Sequence, residues 1–478
     1  MDAVTAARRY ARSHRELTLE RLIALIGFPT VSADTRHAPD MDAGATWLAR
    51  LLSRIGLTDV QVWPGRIAPV VTAGWHGQPG RPTMLVYGHY DVQPVEPLSA
   101  WATDPFRPVR SGPHLYARGA SDDKGQLMAH LAAIEAWLAT SAGLPVNLRL
   151  ILDGEEEIGS PTLVAAAARR WPPLAADVAL VSDTWMLTPR CPAVITGLRG
   201  VLGARLEVSG PARDLHAGSF GGAVANPADV LATLVASLHD KTGRVPAAGF
   251  YDQVRPLTEK ERRHLARSGP SDALMLARAG VVAGHGEPGF SAFERATRRP
   301  AVVVTDLRTS GEGRTVVPAW AAADLSVRLA AGQEPGTITE TLRRHLRSRI
   351  PPGMSGRLVI RNSCAPYTLQ QRAPVLRAVR AACRTVFGRD PVLLPSGGSI
   401  PFVSTLATAQ RIDVALLGFG LPDDAIHAPN ERFYLPNLFR GTETCIELYQ
   451  HLGHDQGGRT AHASPSSSID SAAGRSMG

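Results

Sequence analysis

Short apolar runs of strand length recur along this chain, and each gives way abruptly to histidine or carboxylate. Residues 83–87 (Thr-Met-Leu-Val-Tyr) lead into Gly88-His89-Tyr90-Asp91, and 147–152 lead into Asp153-Gly154-Glu155-Glu156-Glu157. The run 178–181 ends two residues before Asp183. Runs this short, bounded by turn residues, predict strands. Between them, 125–138 carries Leu127, Leu131, Ile134 and Leu138 at helical spacing. Strands alternating with helices predict an α/β fold, with a mostly parallel sheet covered by helices. In such sheets the functional crevice lies beyond the carboxyl ends of the strands. That rule carries His89, Glu156, Glu157, Asp183 and His427 to one edge, together with Asp122, which precedes the helix starting near Lys124.

The pattern changes near Thr196-Gly-Leu-Arg-Gly200. Residues 201–208 alternate as an antiparallel strand does, 227–238 and 337–349 read as helices, and 302–305, 323–329 and 357–361 as further strands. A ββαβ-type, two-layer α+β unit inserted into the first domain accounts for this. A helix at 375–387 and an apolar strand at 413–417 then restore the α/β pattern. The expected division is an α/β domain in two parts, 1–196 and 371–454, an inserted α+β domain, 197–370, and a disordered tail, 455–478, low in apolar residues. Upstream, 17–26 and 42–55 read as amphipathic helices.

At 478 residues more than one core is expected, and 44% apolar with 20% charged residues describes a soluble globular protein. No apolar run reaches the roughly 18 residues of a membrane span, and Met1 to Tyr10 lacks an apolar signal core. Cys191, Cys364, Cys383 and Cys445 are scattered, as free thiols in a reducing compartment would be, so a cytoplasmic location is expected. The net charge of +8 comes from dispersed arginines without interleaved aromatics, which argues against nucleic acid as a partner.

Two histidines and several carboxylates without clustered cysteine suit a borderline-hard divalent ion such as Zn²⁺, Mn²⁺ or Co²⁺. Asp91, two residues after His89, is placed to accept the second imidazole N–H of a metal-bound histidine. Asp122-Asp123 sets two carboxylates side by side, a repulsion that a nearby cation relieves. An acidic triplet such as Glu155-Glu156-Glu157 is ordinarily a charged turn, but here it emerges from an apolar strand at the sheet edge.

In order and content, Gly88-His89-Tyr90-Asp91, Ser121-Asp122-Asp123-Lys124-Gly125, Asp153 to Gly159, Asp183 and His427-Ala428-Pro429-Asn430-Glu431 resemble the aminoacylase/carboxypeptidase G2-type (M20) family of two-metal peptidases, most closely its dipeptidase branch. The resemblance spans roughly residues 10–450. It implies that Asp122 bridges two ions, that His89 and His427 and the terminal carboxylates Asp183 and Glu157 complete their ligands, and that Glu156 is the general base, with Glu155 exposed. It also implies a cis Asp122–Asp123 peptide. Two ions about 3.5–4 Å apart can hold a bridging hydroxide and polarise a carbonyl.

Further implications are a lid histidine, His216 in Arg213-Asp-Leu-His216-Ala-Gly, that stabilises the oxyanion, and a substrate-carboxylate site at Arg328, Gly398 and Ser399. The family also implies that 1–196 and 371–454 form the catalytic domain and 197–370 a lid and dimerisation domain, giving a homodimer through the lid with His216 reaching the opposite subunit. The implied activity is hydrolysis of the amide of a dipeptide or short peptide with a free C-terminal carboxylate. An N-acyl or N-carbamoyl amino acid is the alternative substrate class, and a non-catalytic binding protein on this fold would have lost a ligand or the base. Two ions per subunit are implied, Zn²⁺ first, with Mn²⁺ or Co²⁺ as alternatives. One departure stands out: Cys364 and Ala365 lie where several family dipeptidases carry a lid histidine.

Overall fold

The computed structural model describes residues 2–454 apart from Ala142; the tail expected to be disordered, 455–478, lies outside the described residues. A nine-stranded sheet forms the larger body. Its centre is parallel: strand Thr83–His89 lies between Asn147–Asp153 and Val178–Val181, with Asp413–Leu416 beyond. Antiparallel strands flank this centre, Val70–Trp75 and Thr58–Trp63 on one side and Ala193–Leu198 and Tyr367–Thr368 on the other. The central strands are buried on both faces, which is why they read as continuous apolar runs.

Helix Lys124–Thr140 packs beneath this sheet and against the N-terminal helices Ala3–Ser13 and Arg15–Ile26 and the C-terminal helix Leu435–His454. One apolar face was expected here, but residues from Lys124 to Trp137 are buried almost without a break, because neighbours enclose the helix. Gly125 is obligatory, since a Cβ there would lie 2.1 Å from the Ala120 carbonyl oxygen and 2.6 Å from the Phe433 ring. Lys124, fully buried, donates to the carbonyls of Leu25 (3.2 Å) and Phe28 (2.8 Å), so the helix start is tied to the end of Arg15–Ile26.

A second, four-stranded antiparallel sheet runs Ala301–Thr309, Trp320–Leu329, Gly200–Ser209, Ser355–Cys364. Helices Pro227–Ala236 and Pro335–Arg347 cover one face, around a separate apolar cluster that includes Leu206, Leu234, Phe250, Val327 and Leu342. Strand Gly200–Ser209 alternates buried and half-buried residues, as a sheet covered on one side requires. The chain order here is βαββαβ rather than the expected ββαβ-type layer, and it also holds helices Glu259–Ser268, Asp272–Ala279 and Ala292–Arg298, which sequence periodicity did not reveal. Leu265 and Phe293 on those helices join the core of the large sheet. None of the described helices is long and apolar enough to cross a membrane.

Candidate metal centre

The carboxyl ends of the parallel strands and the loops after them converge on Asp122. The residue is 6% exposed, and its two side-chain oxygens face different histidines: Oδ1 lies 3.0 Å from His89 Nε2, and Oδ2 lies 2.9 Å from His427 Nε2. Asp183 joins the first group and Glu157 the second, so His89, Asp122, Asp183 and Asp122, Glu157, His427 each present ligand atoms within 4.8 Å of one another. Glu157 Oε2 lies 3.4 Å from His427 Nε2 and accepts a hydrogen bond from Gln93 at 2.7 Å. His89 ends its strand opposite Asp153, and the Asp122–Asp123 peptide is cis.

The electrostatics of the cluster call for cations. Burial, then the charge of Asp122, pushes Glu157 up to about 7 and Asp183 well above the usual carboxylate range. Burial likewise raises Glu156, with Glu157 adding to it, and Asp123, pushed to about 8. Against the burial of its own carboxylate, hydrogen bonds from His427 and His89 hold Asp122 low. Glu157 Oε1 and Asp123 Oδ1 are buried without a hydrogen-bond partner among the described residues. Carboxylates crowded this closely, with orphaned oxygens, fit a pair of divalent ions held by His89, Asp122, Asp183 and by Asp122, Glu157, His427.

One sequence expectation needs correction. Glu155 is fully buried, not exposed: its carboxylate accepts the backbone N–H groups of Ile67 (2.6 Å), Ala68 (3.1 Å) and Thr162 (3.0 Å), tying the acidic turn to a neighbouring loop. Asp91 does more than orient His89. His89 Nδ1 is closer to the Asp91 carbonyl (3.1 Å) than to its carboxylate (3.4 Å). That carboxylate accepts the backbone N–H groups of Glu156 and Glu157 and the Ser32 hydroxyl, and so positions the acidic turn itself. The Glu156 carboxylate makes no hydrogen bond among the described residues, which leaves it free to take up a proton.

Sequence reasoning assigned no role to Glu431, although it closes the motif begun by His427. Wholly buried, it accepts from Arg118 Nη1 (2.7 Å) and from the backbone N–H groups of Gly119, Ser121 and Asp122 (2.9–3.0 Å), cradling the loop that presents the shared aspartate. Glu431→Ala strands the buried Arg118 charge and three N–H groups, so a loss of about 3–5 kcal/mol of stability is expected. Thermal unfolding of the variant checks this; an unchanged melting temperature would refute the cradle.

The remaining predicted residues make no hydrogen bond or ion pair with the Asp122 cluster among the described residues. Arg328 donates to Ser399 Oγ at 3.3 Å, and Gly398 lies beside it, its N–H bonded to Ser396 and its carbonyl to Arg199. His216 is exposed on a two-residue strand, Leu215–His216, paired with Val316–Val317. It makes no hydrogen bond or ion pair with the Asp122 cluster among the described residues.

Two carboxylate–imidazole groups sharing one aspartate at the edge of a largely parallel sheet define a dinuclear metallohydrolase class of centre. The chain belongs to peptidase family M20/M25/M40, whose profile matches residues 85–451. It is 30% identical over 458 residues to the Cys-Gly metallodipeptidase DUG1 of Candida albicans, covering 91% of this chain and 94% of that protein. It is 28% identical over 394 residues to the Beta-Ala-His dipeptidase of Rattus norvegicus, covering 80% of each. Among solved structures, an M20 family metallo-carboxypeptidase from Sulfolobus solfataricus superposes with a TM-score of 0.82 at 30% identity, over 91% of this chain and 99% of that one.

Proposed function

We propose that this chain is a two-metal dipeptidase that hydrolyses the amide bond of dipeptides or short peptides with a free C-terminal carboxylate. The observation that carries the reading is the Asp122 carboxylate, placed at once 3.0 Å from His89 and 2.9 Å from His427, with Asp183 and Glu157 on either side. The relatives named as dipeptidases, and a metallo-carboxypeptidase of the same fold, favour a peptide substrate. Zn²⁺ is the proposed ion, with Mn²⁺ or Co²⁺ as alternatives for the same donors. When bound, such ions activate a water and polarise a carbonyl.

The chain's own part is to hold and move protons and to hold substrate. Glu156, unbonded and raised by burial, takes the proton of the attacking water and delivers it to the leaving amine. Asp91 fixes the turn that aims Glu156. Arg328 and Ser399, with the Gly398 backbone beside them, grip the substrate's carboxylate, a planar anion suited to a guanidinium. Residues 197–370 form a lid and dimerisation unit on this reading. The outermost strand Ala301–Thr309 leaves Val303 (47%) and Leu307 (59%) exposed on an unpaired edge, a surface suited to a second copy. His216 then serves the partner's site as oxyanion donor. Free cysteines throughout the described residues accord with a cytoplasmic setting.

An N-acyl or N-carbamoyl amino acid presents the same carboxylate, so the test must separate the classes. Purified protein, assayed for bound metal and for turnover of dipeptides, acylated and carbamoylated amino acids, should favour dipeptides. Amidating the C-terminus of a good substrate should lower kcat/KM by roughly 10²-fold, the loss of one charged hydrogen-bonding partner. Equal turnover of the amide would remove Arg328 and Ser399 from the site.

A further inference from the structure

One buried polar chain behind the centre is left without a task by this mechanism. His130, 1% exposed, lies one turn beyond Gln126 on helix Lys124–Thr140. Its Nε2 is 2.7 Å from Ser182 Oγ, and Ser182 Oγ donates to the Leu417 carbonyl at 2.7 Å. On its other side, Nδ1 is 2.9 Å from the Tyr449 hydroxyl and 3.4 Å from Cys445 Sγ. The proton inventory sets the tautomer. Ser182 spends its single hydrogen on Leu417, so it must accept from His130 Nε2–H, and Nδ1 must accept from Tyr449. Burial drives His130 down to about 3, so the ring is neutral and both nitrogens are satisfied.

The chain joins four elements. Helix Lys124–Thr140 begins immediately after Asp122-Asp123, and Ser182 immediately precedes Asp183. Leu417 follows strand Asp413–Leu416 and donates its N–H to Val181 at 2.9 Å. Tyr449 belongs to helix Leu435–His454. Gln126, on the same helix face, makes the parallel connection: its amide donates to the Ser121 carbonyl (3.0 Å) and accepts from the Phe419 N–H (2.6 Å). A leucine would fill the space of His130 at less desolvation cost, but it would remove the N–H that Ser182 Oγ accepts.

We propose that His130 is a positioning residue: through Ser182 it holds Asp183 in register with Asp122, and so shapes the His89–Asp122–Asp183 cation group while leaving Asp122–Glu157–His427 alone. The inference rests on the two-ion reading above. Neither His130 nor Ser182 belongs to either donor group, so the effect acts through the placement of Asp183.

Chelator-stripped full-length protein is titrated with Co²⁺, followed by calorimetry and by visible absorption. The native chain should take two equivalents. In His130→Phe, one equivalent should bind as in the native chain and the other should weaken about 10- to 100-fold, the usual effect of losing a group that orients a ligand. Ser182→Ala should reproduce this, and the double variant should lose no more than either single one. His130→Gln, which can still donate to Ser182, should recover most of the affinity. In a His427→Ala background, His130→Phe should weaken the equivalent that remains. Two equivalents of native affinity in a folded His130→Phe or Ser182→Ala protein, or equal weakening of both, would overturn the proposal. If His130→Phe does not fold, Ser182→Ala decides alone. A native chain that takes fewer than two equivalents would overturn the two-ion reading itself, a distinct result.

Discussion

Glu156→Gln is expected to reduce dipeptide hydrolysis by roughly a thousandfold, the scale of a lost general base, while two equivalents of metal remain bound. The substitution keeps the side chain's size and removes only its capacity to take a proton. Glu156 belongs to neither donor group, its carboxylate has no competing hydrogen bond, and its backbone N–H stays anchored on Asp91 at 3.1 Å. Glu157→Gln and His427→Ala differ in kind, since each removes a donor from the Asp122–Glu157–His427 group, and both should lower metal content as well as turnover. Metal analysis and steady-state kinetics on the same preparations separate the two outcomes. A Glu156→Gln enzyme that retained a tenth of native turnover would show that another group moves the proton.

Mixing two dead variants should restore activity. Among the described residues His216 is exposed and makes no bond to the Asp122 cluster, while the strand Ala301–Thr309 lies at an unpaired sheet edge with Val303 and Leu307 exposed. If two copies pair through that unit, each lid histidine reaches the partner's centre. His216→Ala and Glu156→Gln chains, exchanged to a statistical mixture, then form heterodimers with one site carrying both defects and one carrying neither. About a quarter of native activity is expected, because half the dimers are mixed and each has one intact site. A mixture that stays inactive, with heterodimers demonstrated by native mass spectrometry, would place His216 in its own subunit's service or in none.

The convergence of these residues on one edge was legible because they obey one local rule. His89, Glu157 and Asp183 follow strands whose apolar runs can be read without any knowledge of their neighbours, and an α/β sheet gathers its strand ends at one edge. Asp122 and His427 were reached by the motifs around them, and the structure brings both to that edge. Glu155 was misjudged for the opposite reason: nothing in an acidic triplet says which member turns inward, and two of the three N–H groups it satisfies, those of Ile67 and Ala68, are far away in sequence. Glu431 and Arg118 meet across 313 residues, and His130 meets Tyr449 across 319. No periodicity or spacing encodes such pairs.

By itself, then, the order of residues determined the α/β class, the βα alternation and the chemistry offered at the strand ends, since burial on both faces writes itself as continuous apolar runs and helices as a period near 3.6. Which carboxylate faces which histidine, which glutamate is a cradle rather than a surface charge, and which buried imidazole meets Ser182 were decided only by tertiary structure. The physical reason is that a buried polar group must find its partner wherever the folded chain supplies one, and distance along the sequence has no part in that requirement.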